Sequence, residues 1–493
     1  MPEPAARAMS TADHLSRLSP RLIVPALVAA AALLGLAVTH DARLGLAAAG
    51  ALVFGAFLVV DLPVAVGIWI VALYLAGAPG THGAVTGTSV LLLAGWAGTL
   101  ADRAPHARRA VARTRWALAL VALMMLWSAC SIVWAQDAGV ARLGLQHWAI
   151  AVAALPVLVV ACERPRDALV VAGAFVAGAT LAVIAGVLTG SNAAPVDQQA
   201  SFEAAAGRLQ VGITDPNYLA ADIVAALAIT AGLLGVPAVR RFRPLLLLAV
   251  PVLLYGLVAT QSRGGMVAAA VAAVVAFVLL REYRGRILGA LAVVVVLLGL
   301  FLAAQPRAVD RLTQDDTSGT GRTDIWNVAV RVASDHTLLG VGTGNFVVVQ
   351  PGYAQRVGFL ERPGMIVDTP LVTHDVWLQA LTENGAIGLA LLIGAFGACV
   401  LASLLAAGRF ARAGRPDLAH LARAVAVGQI GSLAASTFIA NGNDRVFWVL
   451  LSLGPVLLAV ELATGSAAAR PNPSAASAVS PAAPAPSFPD PSR

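Results

Sequence analysis

The side chains of this chain that could do chemistry are few, and they stand at the ends of apolar blocks. His374 lies in Thr373-His374-Asp375-Val-Trp377-Leu-Gln379-Ala-Leu-Thr-Glu383, just before an apolar block at 386–407. A neutral imidazole can take a proton near pH 7; an interfacial histidine can equally serve as a cap or a hydrogen bonder. Arg263, in Thr260-Gln261-Ser262-Arg263-Gly264-Gly265, is pinned between two apolar blocks. A guanidinium at that depth is costly and needs a partner or a task. It either snorkels to the headgroups or grips an anion such as a phosphate with its bidentate fork. Arg208 precedes another block and, taken alone, reads as a solvated loop residue. Asp215 and Asn217, in Asp215-Pro216-Asn217-Tyr218, either brace Arg208 or start a helix. Gln379 and Glu383, four apart, share one helix face and either orient a base or a sugar or are simply solvated. Arg322 and Arg445 extend the positive surface or play structural parts, and Asp222 is an acid inside an apolar block.

The elements that must position these groups follow from composition. Of 493 residues, 59% are hydrophobic and 12% charged, about half the charge that a soluble domain carries (~25%). Apolar blocks of about 20 residues, the length that spans the hydrocarbon core, fall near 22–39, 44–60, 62–77, 85–101, 116–134, 146–161, 168–189, 217–235, 244–260, 264–280, 287–304, 386–407, 424–440 and 446–463. A set of soluble domains is excluded. The chain reads as an all-α polytopic membrane protein of about 12–14 spans, the lower number applying if the blocks that meet at Asp61-Leu62-Pro63 form a re-entrant hairpin.

The net charge of +7 does not signal nucleic-acid binding, because of where the charges sit. All 33 Lys-or-Arg residues are Arg; with the N-terminus inside, 22 of them fall on the cytoplasmic side, five between Arg103 and Arg115 alone. The positive-inside rule therefore predicts a multi-pass protein of the cytoplasmic membrane, N-in and C-in, with the first block retained as a signal anchor. Cys130, Cys162 and Cys399 lie in or at the ends of apolar blocks, which excludes a disulfide framework or a CxxC metal site. The expected organisation is a cytoplasmic N-terminus (1–21), a bundle of about 11 spans (22–304), an extracytoplasmic loop (305–377), C-terminal spans (378–463) and a disordered Ala/Pro/Ser-rich cytoplasmic tail (464–493).

The one sizeable polar insertion is the 73-residue stretch from Gln305 to Trp377. Its patterning predicts order. Ile325, Val328, Ala329 and Val332 place an apolar stripe on a helix over Thr323–Ser334, facing the membrane or the span bundle. Gly340-Val-Gly-Thr-Gly-Asn-Phe346 lacks the Lys-Ser/Thr of a phosphate-binding P-loop and reads as a tight turn allowing close backbone packing. Asp315-Asp316 reads as a solvated loop, not a cation site.

Four of these segments, in order, resemble the bacterial O-antigen ligase and O-antigen polymerase superfamily. They are RLQVGITDPNYLA, QSRGG, GRTDIWNVAVRVASDHTLLGVGTGNF and HDVWLQALTENGAIGLALL, together covering roughly 205–395. The first six or seven spans match only in hydropathy. Two departures stand out: Asp375 where the family commonly has Asn after the His, and Thr337 where it usually has Pro. They put the histidine's environment and the shape of the turn in question.

The resemblance implies a GT-C-like membrane glycosyltransferase that moves a glycan from undecaprenyl (polyprenyl) diphosphate to an acceptor hydroxyl on the outer face, inverting and metal-independent, with no cofactor. By match to the family's positions His374 is the base and Arg208 and Arg263 hold the diphosphate, with Asp215, Asn217, Gln379, Glu383 and Arg322 as supporting residues. The partners implied are the lipid-linked donor, a glycan, lipid or protein acceptor and the bilayer, with no nucleic acid. A polymerase of the same superfamily differs only in its acceptor. A lipid or glycan flippase is the competing class, although the distinctive residues lie at the outer edge and no repeated halves are evident. A scaffold of envelope assembly, recruiting partners through the long loop, is a third.

Overall fold

The computed structural model describes residues 42–76, 82–189, 208–211, 215–286, 322–355 and 371–462, with scattered positions between 288 and 299. Every regular element among them is helical. In chain order these are α1 (Ala42–Val60), α2 (Leu62–Tyr74), α3 (His82–Thr99), α4 (Ala104–Cys130), α5 (Ala138–Val152), α6 (Ala154–Ala161) and α7 (Pro165–Thr189). Then come α8 (Pro216–Leu234), α9 (Arg243–Ala259), α10 (Arg263–Leu279), α11 (Arg322–Asp335), α12 (Phe346–Ala354), α13 (Val376–Arg412), α14 (Pro416–Ala435) and α15 (Arg445–Ala459). Among the described residues seven helical segments are long and apolar enough to cross a membrane, and five shorter apolar helices accompany them. This is an all-α, multi-pass membrane protein. The apolar block at 22–39, most of that at 287–304, Asp315-Asp316 and the tail after 464 lie outside the described residues.

The arginine-rich stretch ahead of the apolar block at 116–134 is helical from Ala104 onward. Arginine is a good helix former and Pro105 sits in the first turn, where a missing N–H costs nothing, so α4 extends past its apolar part. The guanidinium groups at this end close helix ends. Arg103 donates to Ala161 O (3.0 Å), Arg113 to Ala459 O (2.8 Å), and Arg409 to Leu458 O (2.6 Å) and Val460 O (2.7 Å). Each supplies a donor to a carbonyl that the helix can no longer satisfy. Arg166 pairs with Asp61 at 2.9 Å, which places the α1–α2 junction beside this arginine-rich end; α1 and α2 are two separate helices.

The centre of the bundle is packed by α8, α13, α14 and α15. Trp448, Phe447 and Phe396 are fully buried and meet edge to face, with Trp377 at the rim of the cluster. Pro455 within α15 cannot donate to Leu451 O. Gln429 of α14 supplies the missing donor, its Nε2 reaching Leu450 O (3.1 Å) and Leu451 O (3.0 Å), while its Oε1 accepts from Ser403 Oγ (2.8 Å). A backbone group freed in an apolar interior needs such a partner.

At the opposite end, α11 lays its stripe of Ile325, Val328, Ala329 and Val332 on Val341, Phe346 and Tyr353, with Leu378 alongside. The stripe is thus covered by its own loop and the start of α13. The turn between α11 and α12 docks on a break in α13. Gly385 takes φ 67°, ψ −172° inside that helix, and the freed carbonyls of Thr382 and Glu383 accept from Val341 N (2.9 Å) and Gly342 N (2.8 Å). Gly340 has φ 70°, and a Cβ there would collide with the Glu383 backbone. The glycines serve close packing. Thr337, where proline was expected, fits without distortion: its Oγ1 donates to Ser334 O (3.0 Å) and its carbonyl accepts from Ala386 N (2.8 Å).

Candidate functional site

Arg208 is held from two sides. Its Nε donates to Thr260 O (2.8 Å) and its Nη2 to Asn217 Oδ1 (2.8 Å). The same Asn217 oxygen accepts from Ser262 Oγ at 2.7 Å, and Asn217 Nδ2 donates to Asp215 Oδ1 at 2.8 Å. Asp215 is also the N-cap of α8, accepting from Asn217 N at 2.7 Å. Its segment therefore does both things the sequence left open: it starts the helix and braces the arginine. Leu209 N donates to Ala259 O (2.9 Å), tying the strip that carries Arg208 to the end of α9.

That end of α9 is where Arg263 sits. Ser262 caps α10, its Oγ accepting from Gly265 N at 3.0 Å, and Arg263 is the first helical residue, exposed. Gln261 turns the chain there with φ 48°, a conformation disfavoured for a side chain of its kind. Gly264 lies against Phe438 and Gly265 against Ala220, where a Cβ would clash. Close approach of α10 to α8 thus keeps Arg263 beside the turn that anchors Arg208.

His374 is the other non-glycine residue with positive φ among those described, at 51°. Its neighbours clamp that conformation. Thr373 O accepts from Trp326 Nε1 of α11 (2.9 Å), and Val376 N donates to Ser436 O (3.0 Å). Asp375 caps α13, accepting from Trp377 N (2.8 Å) and Leu378 N (3.0 Å). This explains one departure from the family pattern: Asp does the capping that Asn can also do, with its carboxylate turned to the helix. The imidazole itself makes no hydrogen bond to a described residue. Burial, and next the Arg322 guanidinium, hold its pKa below the ordinary histidine value against an opposing pull from Asp215. Both effects favour the neutral ring, the form that can accept a proton. Burial also pushes the Asp375 carboxyl up, offset by its two backbone donors.

Asp215 is the common neighbour: it braces the Asn217 that holds Arg208 and acts electrostatically on His374. Arg208, Arg263, His374, Asp215, Asn217 and Arg322 are thus gathered at one end of the bundle. Gln379 and Glu383 are drawn elsewhere. Gln379 Nε2 donates to Glu383 Oε1 (3.1 Å), and Glu383 Oε2 accepts from Gly344 N (2.8 Å), so this pair fastens the glycine turn. Asp222 and Arg445 line a separate cavity. Sequence reading missed Trp326, Ser262 and the backbone carbonyls of Thr260 and Ser436, which position the site. The Ser-x-x-Gly cap spacing was the one available signal for Ser262; the others depend on contacts between distant segments.

One comparison with a known family covers part of this region. A family model described as O-antigen ligase matches residues 245–393. The match takes in Arg263, Arg322, the Gly340–Phe346 turn and His374 and stops short of Arg208. No curated protein matches the chain. The resemblance to the O-antigen ligase and polymerase superfamily, read from four motifs, is borne out by that match.

Proposed function

Starting from a chain that resembles the O-antigen ligase and polymerase superfamily across its candidate site, we propose that it transfers a glycan from a polyprenyl diphosphate carrier to an acceptor hydroxyl. The observation that carries this reading is two arginines, Arg208 tied to the turn before α10 and Arg263 at its end, gathered at one end of the bundle with a half-buried imidazole that makes no hydrogen bond to a described residue. Arg208 and Arg263 hold the diphosphate and stabilise the charge that develops on it as the glycosidic bond breaks. Arg208, already braced by Thr260 O and Asn217, needs little reorganisation to do so. His374, kept neutral, takes the proton of the attacking hydroxyl. One such displacement inverts the anomeric centre. Arg322 favours the neutral imidazole before reaction, and Asp215 stabilises the imidazolium that forms.

In this reading the arginine-rich end faces the cytoplasm and the site faces outward from the cytoplasmic membrane, where the lipid-linked donor is presented. Ligase and polymerase share these steps and differ in acceptor. A flippase would place its working groups near mid-depth, whereas these lie at a bundle end.

The test uses purified chain in detergent, polyprenyl diphosphate-linked glycan from the native envelope, and a membrane extract as acceptor. Release of polyprenyl diphosphate by wild type, with a drop of about 10²–10⁴ in His374→Ala at unchanged thermal stability, is the expected result. Equal release by both proteins sinks the assignment of His374. No release by folded wild type with several donors sinks the transferase reading. Mass spectrometry of the product then identifies the acceptor.

A further inference from the structure

The first turns of α8 have two working faces. One carries Asn217 toward Arg208. The other carries Tyr218 and Asp222, one helical turn apart, into a cavity of about 330 Å³ that opens at the same end of the bundle. Tyr74 from the end of α2 and Asn443, Asp444 and Arg445 from the entry to α15 complete its polar lining. Its remaining walls include Leu73, Val85 and Leu219. The volume is at the lower end of the range for small-molecule sites (~300–1,000 Å³).

Three features show that this is not a structural void. The Tyr74 side chain is 6% exposed and its hydroxyl has no hydrogen-bond partner among the described residues; buried hydroxyls are ordinarily paired. The Asp222 carboxylate, carried by an apolar helix, accepts no hydrogen bond from a described residue, and such an acid normally has a partner or a task. Asp444 lies within electrostatic reach of Asp222, Tyr74 and Tyr218, so the polar groups form one cluster. Asp444 also caps α15 through Phe447 N (2.8 Å), which fixes its position.

We propose that this cavity is a sugar-binding subsite that seats one hydroxyl-rich ring of a glycan. The lining offers carboxylate acceptors, phenolic groups that donate and accept, and a guanidinium donor, all side by side. A polyol matches that mixture because each of its hydroxyls both donates and accepts. Two carboxylates repel a phosphate. A metal ion is poorly served: among the described residues no three His, Cys, Asp or Glu groups converge to hold one. The apolar walls and tyrosine rings suit the C–H faces of a pyranose. That the ring belongs to a transferred glycan rests on the function proposed above; that a sugar binds here does not. The ring's source is the donor or the acceptor glycan.

Saturation-transfer NMR on full-length protein in detergent, with methyl glucoside and methyl N-acetylglucosaminide as probes, tests the binding. Saturable binding is expected in wild type and in His374→Ala, weakened at least tenfold in Asp222→Asn and in Tyr74→Phe. Tyr74→Phe removes a hydroxyl that no described residue pairs with, so its thermal stability should match or exceed wild type, which separates lost binding from lost fold. No binding by wild type, or equal binding by the cavity variants, overturns the proposal. So does stabilisation by sodium or calcium chloride alone that Asp222→Asn abolishes, which would make this a cation site. Where transfer is measurable, a raised KM for donor or for acceptor in Asp222→Asn identifies the source, and no change in either overturns the proposal. If wild type transfers nothing, the NMR result still decides the sugar site by itself.

Discussion

The two ends of the bundle use the same side chain differently. At one end Arg103, Arg113 and Arg409 donate to the carbonyls of Ala161, Leu458, Ala459 and Val460. They finish helices, and the backbone around them is ordinary. At the other end Arg208 is gripped by Thr260 O and Asn217 next to Gln261, and the His374 ring makes no hydrogen bond to a described residue; Gln261 and His374 are the non-glycine residues with positive φ among those described. Local backbone strain persists only where surrounding contacts over-determine it. Here Trp326, Ser436 and the Asp375 cap supply those contacts. The comparison teaches that it is the setting, not the presence of arginine, that separates a closing group from a working one.

The sharpest way to break this contrast is to remove one arginine from each end. Arg208→Ala should lower transfer about 10²–10³-fold, the loss typical for one donor to a developing anion. Arg113→Ala should leave turnover near wild type and lower thermal stability instead. Equal turnover losses from both would remove the distinction. A large structural effect is expected at the break in α13: Gly385→Ala meets both the left-handed φ and the Leu338 carbonyl and should destabilise by at least ~1–3 kcal/mol. Gly352→Ala, which meets nothing, serves as the control in the same melting experiment.

The pH profile tests the setting of His374 more finely. A base with a lowered pKa stays active below the usual histidine range, so activity should fall only as the pH drops through that lowered value. Arg322→Gln removes the cation that helps hold it down and should shift the acid limb to higher pH. Asp215→Asn removes the opposing carboxylate and should shift it lower. A limb that moves the same way in both variants would falsify the electrostatic account. The smallest effect is expected at the cap: Asp375→Asn should be nearly neutral, and Asp375→Ala should cost about 0.5–2 kcal/mol, read as a lowered melting temperature.

Much of this was legible without coordinates. The helix Arg322–Asp335 follows from the spacing of Ile325, Val328, Ala329 and Val332, and the Pro216 helix start from Asp-Pro-Asn. Low charge and apolar blocks of spanning length determined an all-α membrane protein, because a chain with so little charge cannot cover a water-facing surface and lipid leaves the backbone no hydrogen-bond partner but itself. The placement of Arg208, Arg263 and His374 beside such blocks marked them as candidates, because polar groups at a membrane edge are costly to keep. What the sequence could not settle was which alternative each polar residue takes. Asp215 and Asn217 brace an arginine as well as start a helix, Gln379 and Glu383 fasten a turn, and Arg103–Arg115 continues a helix. Tertiary structure alone decided these, and alone brought Tyr74, Asp222 and Asp444 to one cavity. Periodicity records which face of a helix is apolar, but a hydrogen bond or a shared cavity depends on which distant segment packs against that face.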